Sequence, residues 1–136
     1  MNCKLVNLTL CLCLSVLVSA CDPYVLVAKQ YQTPYMVQFS SQGLLDEFEK
    51  ISVAVETFAR IDSEKTDRHC KTSYAGTTKT IDCGRRTVQI SKQGANAEIK
   101  IITTVYLPRE KIEKDAEEKF AAELLRYVNS HTGVKF

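Results

Sequence analysis

Gly76, Gly84 and Gly94 punctuate the stretch from His69 to Leu107, which is otherwise rich in threonine, isoleucine and charged residues. Two-residue hairpin loops of type II′ place Gly at the first of their two central positions. With loops at Gly76-Thr77, Gly84-Arg85 and Gly94-Ala95, counting outward pairs Thr72 with Ile81, Ile81 with Val88, Val88 with Ile101 and Ile90 with Ile99. One row across the strands then reads Thr72, Ile81, Val88, Ile101. Its neighbours read Cys70, Cys83, Arg86, Thr103 and Tyr74, Lys79, Ile90, Ile99. Because alternate residues face opposite sides of a strand, the other face collects Lys71, Ser73, Thr78, Thr80, Asp82, Thr87, Gln89, Ser91, Glu98 and Lys100. The counting uses only the glycines, so the separation of apolar from polar residues is independent support for the register. It predicts a four-stranded antiparallel meander with one core face and one solvated face.

The same register sets Cys70 directly opposite Cys83 as a non-hydrogen-bonded pair. The Cα separation expected there is about 4.5 Å, near the short end of the disulfide range. A bridge closing a loop of this length is worth roughly 3 kcal/mol in the chain-entropy model.

Two helices are expected beside the sheet. Leu44, Phe48, Ile51, Val55 and Phe58 recur at four-three spacing after the capping candidates Ser40, Ser41, Gln42 and Gly43, which suits an amphipathic helix to about Arg60. The alternation Ile51-Ser52-Val53-Ala54-Val55 also suits a strand, so Ile51–Ala59 is open between helix and a further strand. Near the C-terminus, Pro108 starts a second helix, with the stripe Ile112, Ala116, Phe120, Ala121, Leu124, Leu125 and Val128 and a stop at Gly133. Before the first helix, Tyr35 to Phe39 reads as a strand just after Pro34. The expected fold is α+β: a four- or five-stranded antiparallel meander sheet with two helices packed on one face.

The N-terminus reads as an address. Lys4 precedes an apolar run from Leu5 to Val18 broken only by Asn7, Thr9 and Ser15. That is too short for a membrane span and has the form of a secretory signal. It ends in Val18-Ser19-Ala20-Cys21, which resembles the lipobox of bacterial lipoproteins, although Val stands at position 18 where Leu is commoner. The resemblance covers the first 21 residues. It implies a diacylglyceryl group on Cys21, cleavage before Cys21 and a membrane-attached protein of the cell envelope facing the periplasm or the exterior. Asp22 resembles an inner-membrane retention signal. Cysteine parity agrees: of six cysteines, Cys3, Cys11 and Cys13 leave with the signal, lipid consumes Cys21, and Cys70 and Cys83 remain to pair in an oxidising compartment. Residues 1–20 are then the signal, 21–34 the lipidated N-terminus and a short tether, and 35–136 one domain.

Little in the sequence points to catalysis. Beyond the signal the charges nearly balance, with 17 Lys and Arg (18 less Lys4) against 16 Asp and Glu. There is no basic stripe of the kind nucleic acid requires, and the Arg85-Arg86 doublet reads as turn and solvated-face residues. His69 and His131 are the only histidines. His69 and Cys70 are strand neighbours pointing to opposite sides, which disfavours a thiol–base pair. Metal ligands do not cluster at short spacing, and no cofactor is expected. Asp82 and Glu98 share a face, where charge pairing is the favoured reading. The polar face leaves a platform of Thr80, Thr87, Gln89, Lys100, Ile102, Thr104 and Tyr106 as the candidate binding surface. The expected function is a non-enzymatic binding module of the envelope with a protein or other envelope component as partner. An immunity or inhibitor protein and, further off, a small hydrolase are the alternatives.

Overall fold

The computed structural model describes residues 31–42 and 47–136. The expected signal, the lipobox-like Val18-Ser19-Ala20-Cys21 stretch, Asp22 and the start of the expected first helix at Leu44 lie outside those residues. Thr33–Phe136 forms a compact unit. In chain order its elements are β1 (Gln32–Ser40), α1 (Phe48–Glu64), β2 (Lys71–Ala75), β3 (Thr78–Asp82), β4 (Arg86–Gln93), β5 (Asn96–Tyr106) and α2 (Glu110–Thr132). A single turn of 3-10 helix, Leu107–Arg109, joins β5 to α2.

The meander has the register that the glycines predict. Thr72 pairs with Ile81, Ile81 with Val88, Val88 with Ile101 and Ile90 with Ile99. Ala75 faces Thr78 across Gly76-Thr77, and Gln93 faces Asn96 across Gly94-Ala95. Gly76 and Gly94 have φ of 59° and 60°, and among the described residues Asp67 alone is a non-glycine with positive φ. Thr77 and Ala95 therefore stay in ordinary backbone space, which is the II′ pattern. The middle loop closes on a bond from Cys83 N–H to Arg86 O at 2.9 Å. The sheet is completed by β1, which lies beside β5 in the order β1-β5-β4-β3-β2. Ser41 N–H donates to Ala97 O at 2.8 Å, so the end of β1 meets the start of β5 and the two run antiparallel. Pro34 lies inside β1 and is accommodated because β1 is an edge strand, where a missing N–H costs no ladder bond.

Ile51–Ala59 is helical. Ile51 and Val55 are fully buried, and Ser52, Ala54, Ala59 and Ser63 share their face; a strand would have sent Ser52 and Val53 to alternate sides of a sheet. Ser41 and Gln42 do not cap this helix. They finish β1 instead: the Ser41 hydroxyl accepts from Ala97 N–H at 2.8 Å, and Gln42 bridges to Lys135. The helix runs past Arg60 to Glu64. It ends where Asp67 turns left-handed, with Arg68 N–H bonded to Ser63 O and Asp67 N–H to Glu64 O, a Schellman arrangement. Gly133, with φ of 73°, stops α2 in the simpler form, its N–H donating to Asn129 O.

Both helices pack on the Ile81, Val88, Ile90, Ile99 and Ile101 face, where Phe120, Ala121, Leu124 and Val128 of α2 meet Ile51, Val55 and Ala59 of α1. The stripe expected on α2 needs one correction. Ile112 is 71% exposed and Ala116 is also exposed. The inward positions of the first two turns belong to Glu113 and Glu117, because they are drawn to Arg85 of the β3–β4 loop and Arg86 at the start of β4. Arg85 Nη2 reaches Glu113 at 2.6 Å, and Arg86 grips Glu117. On the exposed side, of the two four-apart pairs in the sequence, Glu110 and Lys114 meet at 2.5 Å. Cys70 and Cys83, just outside β2 and β3, are joined by a disulfide with Cα atoms 4.2 Å apart.

Candidate functional site

One face of the sheet carries both helices, and the opposite face displays the residues expected to bind. Thr80, Gln89 and Lys100 stand in one row across β3, β4 and β5, and Asp82, Thr87 and Ile102 in the next. Thr78, Ser91 and Glu98 form the third. Thr104 and Tyr106 continue β5 past Ile102 and are exposed, whereas Thr80, Thr87, Gln89, Lys100 and Ile102 are half-buried by their neighbours. The structure thus brings all seven expected binding residues onto a single surface.

That surface extends further than the meander. Gln38 Nε2 donates to Glu98 Oε2 at 2.7 Å, which fixes Gln38 on the open face. Met36, 54% exposed, shares it by the two-residue repeat of a strand. The alternation of Tyr35, Val37 and Phe39 with Pro34, Met36 and Gln38 carried this information, but a strand's place in a sheet is a long-range fact that alternation alone does not provide. Glu98 also pairs with Lys100 at 3.5 Å, so it is a charge partner as expected. Asp82 has a different role: its Oδ1 accepts from Gly84 N–H at 2.9 Å and fastens the turn.

The charged side chains on the covered side are clamps between sheet and helices. Lys79 is only 4% exposed, and its Nζ meets Glu56 Oε2 of α1 at 2.6 Å. Glu56 also accepts from Thr72 Oγ1 at 2.8 Å and Arg60 Nη2 at 2.8 Å. The Lys79 bond, aided by Arg60 and Thr72, outweighs burial and holds the Glu56 carboxyl down at about 2. Burial alone would lower the Lys79 ammonium, but Glu56 and Tyr74 together more than offset it and the net displacement is upward. Arg86 is not a solvated-face residue. It is partly buried, donates from Nη1 to Asp62 Oδ2 at 2.7 Å, and lies 3.6 Å from the centre of the Phe120 ring. Glu113 is pulled below the ordinary carboxylate value, first by the Tyr106 N–H and then by Arg85.

His69 is exposed beside the disulfide-bonded Cys70, so this cysteine offers no free thiol. His131 stacks on Tyr127 with ring centres 3.9 Å apart and its Nδ1 lies 2.8 Å from Tyr127 O. A groove of about 350 Å³ runs between the helices past Val53, Tyr127 and His131. A second of about 340 Å³ lies between β1 and α2, lined by Val37, Phe39 and Leu125. Among the described residues, no three or more of His, Cys, Asp and Glu are grouped to hold a metal ion, and no helix is long and apolar enough to cross a membrane. No family model, curated protein or solved structure matches the chain.

Proposed function

We propose that this chain is a lipid-anchored protein of the bacterial envelope that binds another envelope component, without catalysis, through the open face of its sheet. The observation that carries the reading is that, among the described residues, the sheet is covered on one side alone. Both helices pack on the Ile81–Val88–Ile101 face, and the opposite face presents Thr80, Thr87, Gln89, Lys100 and Ile102 in adjoining rows. Threonine, glutamine and lysine beside the apolar Ile102 and Met36 supply hydrogen-bond donors and acceptors next to apolar contacts, the mixture that protein interfaces use. The lipobox Val18-Ser19-Ala20-Cys21 supports the location, and the disulfide supports an oxidising compartment.

The test is capture from detergent-solubilised envelopes with the mature protein as bait. Gln89→Ala with Lys100→Ala should weaken capture about tenfold or more, the scale of a modest hot spot, at an unchanged melting temperature. Val53→Ala, on the helix side, should leave capture intact. Equal capture by both variants would refute the open face as the binding surface. Cys21→Ala should move the protein out of the membrane fraction and end palmitate labelling.

A further inference from the structure

The domain has two ends, and they differ. At one end lie the Gly76 and Gly94 loops. At the other lie the Gly84 loop, the disulfide, the end of β5 and the start of α2. Because Ser41 at the end of β1 meets Ala97 at the start of β5, the chain enters β1 at this second end. Tyr35, early in β1, agrees: its hydroxyl donates to Glu118 at 3.1 Å, and Lys114 lies 5.3 Å from its ring, both in the first half of α2.

This end carries an apolar prow. Leu107 is 41% exposed and Ile112 71% exposed, with Pro108 exposed between them. Arg109 and Lys111, also exposed, flank them. Ile112 is one of the two most exposed large hydrophobic side chains among the described residues, and nothing in the fold uses it. Aliphatic side chains interspersed with Arg and Lys, whose long stems lie along apolar matter while their charges stay in water, suit the interface of a bilayer.

We infer that Leu107, Pro108 and Ile112 dock into the membrane surface, standing the domain on its Leu107–Ile112 end with the strands rising from the bilayer and the open face turned sideways. This inference rests on the lipid-anchored reading. The tether favours the Leu107 end. Thr33 lies twelve residues after Cys21, a maximum reach of roughly 40 Å. β5 has eleven residues and spans about 36 Å. For the Gly94 end to meet the membrane, the tether would have to run back along almost the whole sheet. For the Leu107 end, no such span is required. The lipid supplies the affinity and holds the domain at high effective concentration over the bilayer, so two aliphatic side chains are enough to set orientation.

The experiment uses the full mature chain, carrying its lipid, in vesicles of phosphatidylethanolamine and phosphatidylglycerol. Cys70 and Cys83 are bridged, so a cysteine introduced by Ile112→Cys or Ala95→Cys takes a nitroxide label alone. Accessibility to oxygen relative to a water-soluble nickel chelate should be severalfold higher at 112 than at 95, and Leu107→Glu should abolish the difference without changing the melting temperature. Intact mass reports the lipid on Cys21 separately. If the lipid is present but the two labels are equally aqueous, the docking inference is overturned and the anchor stands. If mass shows no lipid, the anchored reading falls. The docking inference, which takes its affinity from the lipid, then falls with it.

Discussion

Arg86 holds Glu117 with two parallel bonds, Nε to Oε2 at 2.7 Å and Nη2 to Oε1 at 2.8 Å. With a third bond to Asp62, one side chain of β4 ties the end of α1 to the first half of α2. A guanidinium makes this fork and an ammonium cannot. Paired forks of this kind are among the stronger polar contacts, and breaking one from a single side leaves a desolvated charge behind. Glu117→Ala is therefore expected to cost about 2–4 kcal/mol, and Arg86→Lys to lose a large part of the same energy. Urea melts of Arg86→Ala, Glu117→Ala and the double variant should give a coupling of about 1–3 kcal/mol. Additivity of the two single changes would mean that the fork holds nothing together.

Acid should act mainly through Glu56. Its carboxyl is held down at about 2 in the folded chain, against an ordinary value of 4.5. A carboxyl with a depressed folded value stabilises the fold above its unfolded pKa, and that contribution disappears as pH falls through the folded one. The melting temperature should accordingly fall between about pH 5 and pH 2. The share due to Glu56 is on the order of 2 kcal/mol, because water reaches part of the carboxylate. Glu56→Gln should lower stability at neutral pH and flatten the acid limb. An equally steep limb in the variant would assign acid sensitivity elsewhere.

Leu124 and Ile112 both belong to the apolar stripe written in the sequence of α2, and the fold treats them oppositely: Leu124 is fully buried and Ile112 is 71% exposed. Leu124→Ala should cost about 2–5 kcal/mol, whereas Ile112→Ala should stay within about 0.5 kcal/mol. Thermal melts of the two variants check the contrast, and comparable losses would mean that the first turns of α2 pack more closely than the structure shows.

The same contrast marks what sequence can reveal here. The meander was legible because each strand is tied to the next by a two-residue loop, so register follows from local counting at Gly76, Gly84 and Gly94. The orientation of the first turns of α2 was not legible. It depends on Arg85 and Arg86 meeting Glu113 and Glu117 about thirty residues away, and periodicity within a helix contains no trace of that. Part of the signal was nevertheless present. The register had already set Arg86 beside Cys83 and Thr103 and Lys79 beside Ile90, on the core face. A charge placed there needs an opposite charge, and Glu56 and Glu117 are the carboxylates that meet it. The open face was legible residue by residue, but its extension onto Met36 and Gln38 required knowing that β1 lies beside β5.

The disulfide stands at the margin of the sheet. Cys70 precedes β2 and Cys83 follows β3, and the row they begin continues through Arg86 to Thr103, outside the isoleucine centre. The residues that bury the centre, Ile81, Val88, Ile90, Ile99 and Ile101, are held by the paired strands and both helices whether or not the bridge exists. Reduction is therefore expected to weaken the domain and leave it folded. Closing the loop, with a sequence separation of 13, is worth about 3 kcal/mol in the chain-entropy model, or roughly 10–20 °C in melting temperature for a domain of this size. Most of that loss should appear as easier opening of the β2–β3 hairpin, because β2 is an edge strand of five residues with β3 as its one partner in the sheet. Intact mass before and after reduction gives the bond, melting of both forms gives its energy, and hydrogen exchange locates the change. Faster exchange confined to Lys71–Asp82 supports this placement. Uniformly faster exchange through β4, β5 and α2 would show that the bridge supports the core as well.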